Sequence, residues 1–134
     1  MIPFGAVNYL AVLAAAVASF MLGWIWYSGL FGKAWAKETG KSMDQMANPA
    51  KAMMLDFVAI VITSFSLELL VIFLGVVKVT GGLKLGLLCG IGISAMTILP
   101  DFIYENRSMK LFSITAAYQT LSMVVMSVIL SVWH

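Results

Sequence analysis

Four long apolar runs dominate this chain and leave few ways for it to fold. They extend from about Gly5 to Phe31, Ala52 to Val77, Leu83 to Ile103 and Leu111 to Trp133. Each supplies the roughly 20 residues that a helix rising about 1.5 Å per residue needs to cross about 30 Å of hydrocarbon. Strands of a membrane barrel would be about 9–11 residues long with alternating polarity, and none of the runs alternates. The expectation is an all-α fold, an integral membrane bundle of four transmembrane helices forming a single domain over residues 1–134.

Composition agrees. The chain is 62% hydrophobic and 10% charged, against about 25% charged residues in ordinary soluble domains. A soluble domain of this size buries only about two thirds of its unfolded surface, so in water much apolar surface would remain exposed. The first run is too long for a signal-peptide core, and Met1-Ile2-Pro3-Phe4 carries no cation, so that run reads as a retained span.

The connections carry the charge. Lys33, Lys37, Lys41, Lys51, Arg107 and Lys110 lie in or beside the first and third connections, and Lys78 and Lys84 flank the second. Six cations against two place the first and third connections in the cytoplasm, and both termini outside the inner (plasma) membrane. Cations distributed in this way follow topology rather than forming the basic stripe of a nucleic-acid binder. The first connection, Gly32 to Lys51, is long enough for a short interfacial helix. Ser42 would cap its Met43–Ala47 turn, and Asn48-Pro49 would end that turn and start the second span. Trp24, Trp26, Tyr27 and Trp35 at one boundary, and Phe4, Tyr9 and Trp133 at the other, read as interfacial anchors.

Small residues recur every four positions in two runs: Gly82, Gly86, Gly90 and Ser94 in the third, and Ala11, Ala15, Ser19 and Gly23 in the first. Such stripes let helix backbones approach closely in lipid, where the hydrophobic effect does not drive association. The two stripes could pair with each other within the subunit, or either could mate with its copy in a homo-oligomer.

Glu68 is the ionisable residue deepest in a run. Counted ten residues back from Lys78, it lies about 15 Å down the helix, near the bilayer midplane. An acid there costs about 2.5–3.5 kcal/mol on insertion scales and must face a partner, the bundle interior or water. Tyr118 and Gln119 fall at similar depth and are its expected partners. Near the cytoplasmic boundary, Asp56, Asp101 and Glu105 form a second acidic group with Arg107 and Lys110 close by. Three converging carboxylates could hold a hard cation, but so many neighbouring cations favour salt-bridged anchoring, and no metal is expected. Pro100 should bend the third span. Asn8 reads as a helix-contact residue. The lone Cys89 and the terminal His134 suggest no metal site, no cofactor is implied, and no serine sits in a nucleophile motif. No enzyme is expected.

The segments Trp26-Tyr27-Ser28, Phe31-Gly32-Lys33-Ala34-Trp35, Tyr104-Glu105-Asn106-Arg107-Ser108 and Ala117-Tyr118 resemble a widespread bacterial family of small four-helix membrane proteins known as a domain of unknown function. Gly29 stands where many members carry proline after the serine. The resemblance implies the four-helix fold over nearly the whole chain and supplies no catalytic residue.

Two functional readings follow. In the first, the protein forms a homo-oligomer in the lipid bilayer and moves a small solute, proton or ion, with Glu68 lining the path. In the second, it is a structural or regulatory subunit that binds another membrane protein through its small-residue stripes.

Overall fold

A computed structural model describes residues 4–30, 33–34, 37 and 49–133. The expected interfacial helix at Met43–Ala47, the Ser42 cap and the Trp35 anchor fall outside the described residues. Among those described, all regular structure is helical, in four antiparallel segments. Helix α1 spans Tyr9–Ile25 and runs into a π-helical turn, Trp26–Leu30. Helix α2 spans Pro49–Leu74. Helix α3 comprises Val79–Leu87, a π-helical stretch Leu88–Ala95 and Met96–Tyr104, and α4 spans Met109–Val132. The segments Ala50–Leu74, Val79–Tyr104 and Met109–Val132 are long and apolar enough to cross a membrane, and α1 is a shorter apolar helix.

Local chemistry sets the boundaries. Pro49 opens α2, a position where its missing N–H costs nothing. Gly75 ends that helix at φ +65°, with the Val76 amide donating to the Val71 carbonyl at 3.0 Å. This left-handed stop suits glycine. Asn106 does the same after α3 at φ 53°, and the Arg107 amide returns to the Phe102 carbonyl at 2.9 Å. Ser108 then caps α4 by accepting from the amides of Lys110 and Leu111. The α3 backbone is helical on both sides of Pro100. Its departure from α geometry lies earlier, at Leu88–Ala95.

Helix α4 is the hub. Its first half and middle lie along the C-terminal half of α1 and the turn that follows, where Ser19 and Ser122 share a buried hydroxyl contact and the Trp26 indole N–H donates to the Ile114 carbonyl at 3.2 Å. A different face of α4 receives α3. A methyl group added at Gly86 would lie 2.4 Å from Val124 Cα, and one at Gly90 would lie 2.5 Å from Thr120 Cα. At Gly82 it would meet Ser131 Oγ at 2.6 Å and Val128 Cα at 2.9 Å. Backbone therefore touches backbone along three turns. Ser94 continues the line by donating to the Gln119 side chain. Of the partners left open for the two stripes, the fold supplies a third: the glycine stripe packs on α4, and Ser19 and Gly23 of the α1 stripe also meet α4, on another face. Ala11 and Ala15 are buried. Small residues signal close approach without naming the helix that approaches.

Helix α2 packs against α1 and also meets α4. The Ser64 hydroxyl donates to the Val12 carbonyl at 2.8 Å, and Phe20 and Phe57 meet edge to face with centroids 5.5 Å apart. The core joining these helices includes Ala11, Ala15, Leu67, Val71, Leu85 and Leu130. Five serines are buried in the bundle: Ser19, Ser64, Ser122, Ser127 and Ser131. Of their hydroxyls, that of Ser127 has no hydrogen-bond partner among the described residues. Removing an unsatisfied buried hydroxyl relieves its desolvation cost. Ser127→Ala should therefore leave stability unchanged or raise it by up to about 1 kcal/mol in a denaturation titration.

Candidate functional site

The polar residues collect at the two ends of the bundle. At one end, the start of α1, the last turns of α2 and the end of α4 converge on Asn8. Its side-chain Oδ1 accepts from the Ala11 amide at 3.1 Å, capping α1, while its Nδ2 donates to the Trp133 carbonyl at 2.8 Å. Its backbone N–H donates to Glu68 Oε2 at 3.0 Å. Glu68 is 0% exposed. In a capping box, a glutamate three residues into the helix receives the cap residue's own amide. Here a glutamate from a neighbouring helix does so, and its negative end faces the positive end of the α1 dipole.

This placement corrects two expectations. The second span ends at Leu74, so Glu68 lies six residues, about 9 Å, from the helix end rather than at mid-length. Tyr118 and Gln119 are not its neighbours. Glu68 is tied to Asn8, which is tied to Trp133, and Tyr118 lies fifteen residues, about 22 Å, back along α4 from Trp133.

Tyr118 belongs to the opposite end. Its hydroxyl donates to the Ser19 carbonyl at 3.3 Å, and its ring meets those of Tyr27 at 5.3 Å and Trp26 at 6.4 Å. The Tyr27 hydroxyl is hydrogen-bonded to the Thr115 side chain. Trp26 and Tyr27 are thus half-buried against α4, whereas Trp24 is 66% exposed. The π turn at Trp26–Leu30 carries both rings. Gly23 makes room for the Tyr118 hydroxyl, which would lie 2.8 Å from an added methyl group.

The acidic group expected near this end does not assemble. Glu105 pairs with Arg107 at 3.7 Å, and the Arg107 guanidinium lies 4.4 Å from the centre of the Phe102 ring. Asp56 is exposed on α2. Asp101 is exposed on α3, and its carbonyl accepts the Glu105 amide. Among the described residues no three His, Cys, Asp or Glu side chains come together in a way that could hold a metal ion.

Two separate stretches thus meet in the aromatic cluster, Trp26-Tyr27 before the first connection and Tyr118 some ninety residues later. The chain matches a family model described as a protein of unknown function, DUF1761, over residues 10–131. It belongs to the DUF1761 family. The match covers all four helices of this DUF1761 member except the first residue of α1 and the last of α4. No curated protein and no solved structure matches it. Sequence reasoning marked Tyr118 but assigned it to the wrong acid, because the antiparallel register that aligns Ser19 with Ser122 and Gly23 with Tyr118 is a tertiary fact.

Proposed function

We propose that this DUF1761 member is a multi-pass protein of the plasma membrane, with both termini outside, that acts as a non-enzymatic structural or regulatory membrane subunit. The observation that supports this over solute movement is the state of Glu68. Its carboxyl group is enclosed and accepts the Asn8 amide, a contact that holds α1 against α2. A coupling group must exchange its proton or ion with water on each side in turn, and a group committed to a helix cap is poorly suited to that. Both small-residue stripes contribute to packing within the chain, so a partner protein or a second copy would meet other faces, among them the exposed Leu10, Leu13, Val17, Ile62 and Phe73 of α1 and α2.

Reconstitution into liposomes under an imposed pH gradient tests this reading. Wild type and Glu68→Gln should both show the proton leak of empty vesicles while retaining the same assembly on size analysis. A flux carried by wild type and lost in Glu68→Gln with assembly intact would restore the transport reading.

A further inference from the structure

One flank of α2 suits neither the bundle nor lipid. Ala52, Asp56, Ala59, Thr63, Ser66 and Leu70 follow one another at alternating steps of four and three residues, so they form one seam along the helix. The bundle is met through the neighbouring side, with Phe57 against Phe20, Ser64 against the Val12 carbonyl and Glu68 against the Asn8 amide. Along the seam Asp56, Ala59, Ser66 and Leu70 are exposed, and Ala52 and Thr63 are half-buried. The hydroxyls of Thr63 and Ser66 donate to the Ala59 and Ile62 carbonyls of their own helix, each at 2.9 Å, and keep lone pairs free to accept. Bulky apolar side chains suit lipid, as the exposed Met54, Leu55 and Val58 do elsewhere on α2. Small and polar residues gain nothing there and serve where another helix packs closely.

Asp56 adds a requirement of charge. It stands seven residues, about 10 Å, from the Pro49 start of a helix apolar enough to cross a membrane. Among the described residues its carboxylate has no ion pair and no hydrogen bond. The aspartate side chain is too short to reach back to the helix end as lysine and arginine do, and an acid at such depth is costly until a cation offsets it. A second copy in the same orientation does not bring one. Among the described cations of that end, Lys51 and Lys110 stand in first turns, and Lys33, Lys37 and Arg107 lie outside the four helices. Pairing this seam with itself would also set acid against acid.

From these observations we infer that the Asp56 seam of α2 receives a transmembrane helix of another protein, one that carries a lysine or arginine at the depth of Asp56. The inference rests on the subunit reading above and gives the partner its chemistry.

The test uses the full chain in phosphatidylcholine vesicles and a synthetic leucine-alanine transmembrane peptide as probe. The peptide carries one lysine about seven residues from each end, so that either orientation meets Asp56, or leucine at both places. Energy transfer from the protein's tryptophans to a dansyl group on the peptide reports association. The lysine peptide should reach half-transfer at about a tenfold lower density in the membrane than the leucine peptide, as a charge-assisted contact warrants. Asp56→Asn should remove that difference. Ala59→Leu should weaken both peptides severalfold by blocking close approach, while Met54→Leu on another side of α2 changes neither. Should Asp56→Asn fail to fold, the comparison of peptides on wild type and on Ala59→Leu decides. Equal transfer from the two peptides to wild type, a lysine preference that survives in folded Asp56→Asn, or no effect of Ala59→Leu would overturn the seam. Those outcomes leave the subunit reading standing, which falls instead to a Glu68-dependent proton flux.

Discussion

Gly86→Ala should destabilise the protein by about 1–3 kcal/mol, and Gly86→Leu should prevent the bundle from assembling. The added methyl group would sit 2.4 Å from Val124 Cα and 2.7 Å from its nitrogen. Those atoms are backbone, so no rotamer change can relieve the overlap, and α3 must move away from α4. Separation on that scale also loosens the neighbouring contacts at Gly82 and Gly90, because van der Waals packing falls off steeply with distance. The control lies in the same helix. At Gly92 an added methyl group would lie 3.5 Å from Leu88 Cδ1, an ordinary contact. Gly92→Ala should therefore be neutral or stabilise by up to about 1 kcal/mol through helix propensity. Unfolding titrations in mixed micelles on the two variants measure the difference. Equal midpoints would show that the glycine line is not the α3–α4 contact.

Replacing Glu68 separates two roles of one side chain. Glu68→Ala leaves the Asn8 amide without this acceptor and opens a void in a fully buried position. An orphaned buried donor costs about 1–3 kcal/mol before any cavity term, so a total loss of about 2–4 kcal/mol is expected. Glu68→Gln keeps an oxygen in the same place and forfeits mainly the charge facing the α1 dipole, about 1 kcal/mol. Hydrogen exchange supplies the site-specific readout. The Asn8 amide should be protected in wild type and Glu68→Gln and exchange quickly in Glu68→Ala. If Glu68→Gln is as damaging as Glu68→Ala, the carboxyl group has a role that an amide cannot fill.

The helices were legible in the sequence because apolar length and stop signals are local properties. Pro49 begins α2, and three of the four segments have the length and apolarity that span counting requires. Asn8 was recognisable as a helix-contact residue, but that it caps α1 was not read from the sequence. Glu68 was misplaced because its depth was counted from Lys78, whereas the left-handed turn at Gly75 had already ended the helix at Leu74. Its partner was out of reach of any count, because a cap supplied by another helix leaves no spacing signature. The π-helical stretches at Trp26–Leu30 and Leu88–Ala95 likewise carry no pattern of their own in the residues. Yet the first of them carries Trp26 and Tyr27 against Tyr118, a contact between helices that reading them as boundary anchors does not predict.

The hub position of α4 also constrains how the protein comes into being. The hydroxyl that meets Ser19, the backbone that meets Gly86 and the carbonyl that receives Asn8 all belong to residues 122–133. At a synthesis rate of about 5–20 residues per second, α1 waits about 5–20 s after its own completion at Ile25 before Val132 is made. Through that interval the nascent chain carries a glycine groove and a buried-type serine with nothing to fill them. Assembly therefore finishes by insertion of a keystone rather than by stepwise addition, and the half-built intermediate is the species on which insertion machinery or a quality-control protease would act.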